Sequence, residues 1–191
     1  MAPAHVNGSS DGHYSNGDSN VDSNGSYSTT EQPFDLASRL TIQLSSKAFS
    51  SFAVSLITLP AGSVFAPITG ITSATKAYSS VQTGPDSHIE LNSDLVFCNH
   101  SCAPTLEFDM SRMEVRVAAD RDLKVGDMLT FWYPSSEWEM AQPFECSCGS
   151  ERCKGWISGA GQMSEKVVRE YWLNPHIVKM LDEKNAKNDA A

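Results

Sequence analysis

The 191-residue chain has a hydrophobic content of 40%, which is ordinary for a globular protein with one well-formed core. Its net charge of −9 offers no attraction for phosphate backbones, so we predict no direct binding to nucleic acid. No apolar run reaches the roughly 18 residues of a membrane span, and no secretory signal pattern opens the chain. We therefore expect an intracellular protein without membrane contact; nothing separates nucleus from cytoplasm.

The first 33 residues are mostly Ser, Asn, Gly and Asp, with four acidic side chains and no Lys or Arg. Such a segment buries too little apolar surface to offset the entropy lost on ordering, so we predict that residues 1–33 are disordered. We interpret this tail as a solvated extension, with a regulatory tail as the alternative.

Short apolar runs separated by turn signals follow. Alternation of apolar and polar residues over 40–44 predicts a half-buried strand, and residues 64–68, 115–117 and 128–133 predict further strands. The Ser, Thr, Gly and Pro content of residues 72–88 predicts a loop. Many short strands with frequent turns predict a mainly β domain with a few short helices.

The end of the chain has a helical pattern. Ser164 followed by Glu165 predicts the start of one helix, and Asn174 followed by Pro175 predicts the start of a second. We expect both helices to pack against the β domain and residues 185–191 to fray. Partner binding by this tail is the alternative.

Three of the five cysteines are closely spaced in a C-x-C-x4-C pattern, as Cys146, Cys148 and Cys153. In a reducing compartment this spacing favours metal binding over disulfides, although reduced cysteines in a loop are the alternative. Three thiolates leave a tetrahedral metal ion one ligand short, so a fourth ligand must come from elsewhere in the fold.

Three segments set these cysteines in a wider pattern: FCNHSCAP at residues 97–104, GDMLTFWY at 126–133 and CSCGSERCKGW at 146–156. In this order they resemble the C-terminal half of a SET domain followed by its post-SET zinc element. SET domains of this kind are lysine methyltransferases that use S-adenosylmethionine. The resemblance is to a small form without a pre-SET module.

The resemblance implies a SET-like β fold with a knot-like C-terminal crossing. It places the SET-like domain at 34–142, the post-SET zinc element at 143–160 and a helical tail at 161–191.

The resemblance also implies a set of binding residues. Cys102 stands where the family has the fourth ligand of one structural zinc ion, which leaves Cys98 as a buried core thiol. Asn99 and His100 match the pair that holds the adenosine part of S-adenosylmethionine. Trp156 stands where an aromatic ring covers the adenine, although core packing is the alternative for this indole.

By the same resemblance Tyr133 is the active-site tyrosine. Its hydroxyl would position a neutral amine for attack on the methyl group, with alignment and exclusion of water supplying most of the rate. The implied partner is a protein that presents a lysine, with histones as one candidate class. The oligomeric state is not indicated.

One departure from the family pattern keeps other functions open. Residues 47–54 stand where SET domains have a Gly-x-Gly segment near the cofactor, and they contain no glycine. The alternatives are therefore a catalytically inactive, zinc-stabilised interaction protein, or a methyltransferase for a small amine metabolite.

Overall fold

The computed structural model describes residues 34–47 and 50–189. The disorder predicted for residues 1–33 falls outside this part of the chain. From Phe34 onward, the described residues belong to one compact unit.

The described residues form twelve strands and two α-helices. The strands are β1 (Leu40–Gln43), β2 (Phe52–Ser55), β3 (Val64–Pro67), β4 (Thr72–Ala74), β5 (Val81–Gly84), β6 (Ser87–Glu90), β7 (Asn99–His100), β8 (Leu106–Asp109), β9 (Glu114–Val117), β10 (Thr130–Phe131), β11 (Phe144–Glu145) and β12 (Trp156–Ile157). The helices are α1 (Glu165–Val168) and α2 (Pro175–Asp189). The prediction of a mainly β fold with a few helices is confirmed.

A five-stranded sheet in the order β3-β9-β8-β10-β7 forms the centre. β10 runs parallel to both of its neighbours, with Thr130 opposite Asn99 and Phe131 opposite His100. The Asn-His pair therefore lies directly beside the strand that leads to Tyr133. β1-β2 and β11-β12 form two separate two-stranded ribbons.

Residues 72–88 do not form the predicted loop. β4 and β5 lie within this stretch and pair with the two sides of β6 to form a three-stranded antiparallel sheet. Backbone hydrogen bonds build such a sheet whatever the side chains are, so the stretch needs no alternating apolar pattern. Gln82 on β5 is buried, and its side chain accepts a hydrogen bond from the Trp138 amide at 2.8 Å.

Two predicted strands are shorter than expected. β1 ends at Gln43, and Leu44 is 81% exposed, so it does not extend the buried face. β10 ends at Phe131, and a 3-10 turn begins at Tyr133. Pro134 has no amide hydrogen to continue a strand ladder, and this explains the early end.

The main core lies under the central sheet and the three-stranded sheet. Its largest fully buried side chains are aromatic and aliphatic. They include Phe65, Leu95, Leu106, Phe108, Val115, Val117, Leu123 and Leu129.

The C-terminal helices pack on a smaller cluster formed by Val168, Ile177, Leu181 and Ala160. α1 has only four residues, and α2 continues to Asp189. Of the residues 185–191 that were predicted to fray, 185–189 are helical instead, and 190–191 lie outside the described residues. Side-chain contacts hold this part of α2: Lys184 Nζ donates to Gly161 O at 2.7 Å, and Asn185 Nδ2 donates to Glu165 Oε1 at 3.0 Å. Among the described residues, no helix combines the length and hydrophobicity that crossing a bilayer requires.

Candidate active site

Tyr133 lies in an aromatic pocket at the end of β10. Its ring centroid is 4.6 Å from that of Phe131 and 5.2 Å from that of His100. The ring of Phe144 on β11 lies 6.1 Å away. The Tyr133 hydroxyl donates to Cys98 O at 3.4 Å, a long hydrogen bond. Burial raises the pKa of Tyr133, so the hydroxyl is a neutral donor at physiological pH.

Asn99 connects the central sheet to residues 47–54, the segment that has no glycine where SET domains have a Gly-x-Gly pattern. Its Nδ2 donates to Ser51 O at 2.9 Å, just before β2. The Ser51 carbonyl is partly buried and this hydrogen bond satisfies it, so the side-chain amide holds this backbone in place. The contact brings together the predicted cofactor residue and the region that departs from the family pattern.

Both ring nitrogens of His100 are engaged inside the protein. The Tyr133 amide donates to Nδ1 at 3.3 Å, which leaves the proton of a neutral ring on Nε2. Nε2 lies 3.5 Å from Cys102 Sγ and donates toward it. Burial lowers the pKa of His100 to about 3, so the ring is neutral. His100 therefore links the Tyr133 backbone to one of the cysteines.

The four predicted metal ligands lie together. The sulfur atoms of Cys102, Cys146, Cys148 and Cys153 all lie within 4.8 Å of one another. Cys102 is buried in the core, whereas Cys153 is exposed, so the cluster joins the interior to a surface loop. Cys98 is also buried but stands apart from the cluster.

The cysteine cluster has the dimensions of a metal site. Tetrahedral geometry with metal–sulfur bonds of about 2.3 Å puts neighbouring sulfurs about 3.8 Å apart. Cys102 Sγ and Cys146 Sγ are 3.9 Å apart. Burial raises the pKa of Cys102 to about 11, so a metal ion that binds this thiol must displace its proton. The cluster could hold a metal ion.

Trp156 lies on β12, where it pairs with Glu145 of β11. Its side chain is 58% exposed. The next pair of this ribbon joins Ile157 to Phe144, whose ring is 5.5 Å from that of His100. The ribbon thus brings Phe144 to His100 and Tyr133, and Phe144 is a member of the pocket that the sequence did not indicate. The indole of Trp156 belongs to the neighbouring pair, so it lies on the opposite, exposed face of the ribbon.

Glu137 is a buried carboxyl group that the sequence also did not indicate. Its amide donates to Tyr133 O at 3.0 Å, and its Oε1 accepts from the Gln82 amide at 2.8 Å. Its Oε2 lies 4.0 Å from Nε2 of His88, an atom without a hydrogen-bond partner among the described residues. Burial raises the pKa of Glu137 to about 7, and the Gln82 amide partly offsets this rise. Only the packing of β5 against the turn after Tyr133 creates this site.

We expect Glu137→Gln to raise the melting temperature at pH 8. The pKa of Glu137 in the folded state, about 7, lies above the ordinary value of 4.5, so its ionisation destabilises the fold above pH 7. This penalty disappears as the pH falls through 7 toward 4.5. A shift of one pKa unit corresponds to about 1.36 kcal/mol, so the substitution raises the free energy of unfolding at pH 8 by at most about 3 kcal/mol. The melting temperature then rises by up to about 10 °C.

Thermal unfolding of variant and wild type between pH 5 and pH 8 checks this expectation, because their difference should shrink toward zero at pH 5. Glu139→Gln is the matched control. The pKa of the exposed Glu139 is lowered by its hydrogen bond to Lys76. Removing the Glu139 charge should therefore lower the melting temperature slightly, instead of raising it. An equal difference at all pH values would contradict the role of Glu137 ionisation.

The profile of the SET domain family matches residues 17–134, which is more than half of the chain. The chain belongs to the SET domain family. The match ends one residue after Tyr133, and the cysteine loop, residues 146–155, lies beyond it.

A methyltransferase from Aspergillus flavus, flvH, is 58% identical to this SET protein over 134 residues, which are 70% of the chain and 75% of that relative. A histone-lysine N-methyltransferase specific for lysine 36 of histone H3, from Aspergillus oryzae, is 36% identical over 70 residues. One from Schizosaccharomyces pombe, specific for lysine 4 of histone H3, is 36% identical over 66 residues. Each of these two alignments covers 7% of the histone enzyme's length. The family and these relatives support a methyltransferase.

Proposed function

We propose that this SET protein is an S-adenosylmethionine-dependent N-methyltransferase that acts on the lysine side chain of a protein, with histones as one candidate class. Relatives named as histone-lysine methyltransferases support the substrate class. The observation that carries the proposal is the position of His100, which bonds both the Tyr133 amide and Cys102. It joins the candidate catalytic residue and the cysteine cluster in one continuous site.

We assign adenosine binding to Asn99, His100 and Trp156. S-adenosylmethionine, when bound, supplies an electrophilic methyl group. Asn99 holds the Ser51 backbone at the place where the family has glycines. The exposed face of Trp156 is available to stack on a purine, a contact worth about 1–3 kcal/mol for nucleic acid bases. Since the ring nitrogens of His100 are already engaged, His100 would contribute through its backbone or its ring face.

Tyr133 is the proposed catalytic residue. Its neutral hydroxyl can orient the incoming amine, which is a nucleophile only when it is deprotonated. The surrounding rings of Phe131, His100 and Phe144 exclude water, which favours the neutral amine. Alignment and a dry pocket are therefore the main contributions of the protein to the rate.

We further propose that the cysteine cluster holds one structural zinc ion. Four sulfur ligands without an open position are typical of structural zinc sites. In this proposal residues 34–142 are the SET domain with its knot-like crossing, 143–160 are the post-SET element and 161–191 are the helical tail.

Titration calorimetry of S-adenosylmethionine into the zinc-loaded protein tests the proposal, with Asn99→Ala as the variant. We expect micromolar binding to the wild type and an affinity at least about tenfold lower for the variant, because one positioning hydrogen bond is lost. Asn185→Ala is the matched control, since this amide lies on α2 and bonds to Glu165. It should bind like the wild type.

No binding to folded, zinc-loaded wild type would instead favour the inactive interaction protein. If the cofactor binds, methyl transfer to histones and other proteins is compared with transfer to free amines. Transfer to free amines alone would contradict the protein substrate.

A further inference from the structure

Tyr171, in the segment between the two C-terminal helices, stacks on the strand end that carries the candidate catalytic residue. Its ring lies 4.1 Å from that of Trp132 with an interplanar angle of 9°. Trp132 is buried and immediately precedes Tyr133. The Tyr171 hydroxyl donates to the carbonyl oxygen of Cys102 at 3.0 Å. Tyr171 therefore contacts Cys102, the buried member of the cysteine cluster.

The Tyr171 ring also contacts the residues beside Cys153, the exposed member of the cysteine cluster. Arg152 and Lys154 flank Cys153, and their charged groups lie 5.6 Å and 5.9 Å from the centroid of the Tyr171 ring. Because the indole of Trp132 covers one face of the ring, these cations lie over the other face. A cation over an aromatic face is attracted by the negative charge of the ring's π-system.

Lys154 adds two further attachments. Its amide donates to Cys102 Sγ at 3.3 Å. Its Nζ forms an ion pair with Glu170 Oε2 at 2.6 Å, and the Lys154 side chain is only 19% exposed. Glu170 and Tyr171 thus both contact the cysteine loop, residues 146–155, and Tyr171 also contacts Trp132 and Cys102.

We propose that Glu170 and Tyr171 are positioning residues that hold the cysteine loop against Cys102, so that retention of the metal ion depends on docking of the C-terminal segment. The inference rests on the zinc site proposed above. In this proposal residues 165–189 support the metal site through the contacts of Glu170 and Tyr171. Conversely, a metal ion bound by Cys153 holds the loop on which Tyr171 and Glu170 rest, so metal binding and docking of the segment stabilise each other.

The test measures release of zinc from the loaded, full-length protein to an excess of a chromogenic chelator. The variants are Tyr171→Leu, which removes the ring, Tyr171→Phe, which removes only the hydroxyl, and Glu170→Gln, which removes the charge. We expect Tyr171→Leu to release zinc about tenfold faster than the wild type, at the lower end of the effects seen when groups behind metal ligands are changed. Tyr171→Phe loses one hydrogen bond and Glu170→Gln one ion pair, so each should release zinc about two- to fivefold faster.

Matched controls are Tyr78→Phe, at a tyrosine that is 73% exposed, and Glu183→Gln, at an acid of α2 whose ion-pair partner is Lys179. Both should release zinc at the wild-type rate. As a second readout, chelation should raise amide hydrogen exchange in residues 165–189 of the wild type.

The two proposals fail in different ways. Zinc release from all three variants at the wild-type rate would overturn the positioning role and leave the zinc site standing. A wild type that holds no stoichiometric zinc would overturn both. If Tyr171→Leu does not fold, the zinc release rates of Tyr171→Phe and Glu170→Gln test the positioning role, because each of these variants keeps most of the packing.

Discussion

Tyr133→Phe should lower the rate of methyl transfer by about 100-fold or more while S-adenosylmethionine binds with unchanged affinity. Loss of one donor that is positioned for the reacting atoms typically has an effect of this size on kcat. The substitution keeps the ring contacts with Phe131, His100 and Phe144, so the pocket stays filled. It removes only the hydroxyl that bonds Cys98 O.

Single-turnover kinetics with saturating cofactor measure this effect, and calorimetry measures the affinity. Tyr78→Phe, at an exposed tyrosine, is the control and should react at the wild-type rate. Full turnover in Tyr133→Phe would remove the hydroxyl from the mechanism. A loss of affinity as large as the loss of rate would assign Tyr133 to cofactor binding instead.

The second large effect is expected from Cys102→Ser. This substitution removes the buried ligand of the cluster and should abolish stoichiometric zinc binding. Binding energies of structural zinc are on the order of 10 kcal/mol, so we expect the melting temperature to fall by about 10 °C or more. Metal analysis and thermal unfolding check both parts.

Cys98→Ala is the matched control, because Cys98 is buried but lies outside the cluster. It should keep its zinc, with only the modest destabilisation of a small cavity. A chelator should bring the wild type down to the melting temperature of Cys102→Ser and leave that variant unchanged. Equal melting temperatures for Cys102→Ser and the zinc-loaded wild type would contradict a structural role of the metal.

Local spacing in the sequence predicted three of the four clustered cysteines but not the fourth. Cys146, Cys148 and Cys153 are near one another because only a few residues separate them. Cys102 lies more than 40 positions earlier, and only the family resemblance pointed to it. In the structure Cys102 packs with Trp132 and Ile157 against Cys146 and Cys148, and its sulfur accepts a hydrogen bond from the Lys154 amide.

The polar contacts around Tyr133 had no signal in the sequence. Glu137, Gln82 and His88 are ordinary polar residues in segments without a recognisable pattern. They become a buried cluster because β5 and β6 pack against the turn that follows Tyr133. Such burial depends on contacts between residues 49 and 55 positions apart, which periodicity and spacing do not encode.

By itself, the sequence determined the mainly β character, the start of α2 at Pro175 and the three closely spaced cysteines, because alternation, helix capping and ligand spacing are local properties. Tertiary structure alone decided that the polar stretch 72–88 pairs into a sheet and that Tyr171 joins Trp132 to the cysteine loop. The physical reason is that backbone pairing and aromatic stacking between distant segments leave no periodic pattern in the chain.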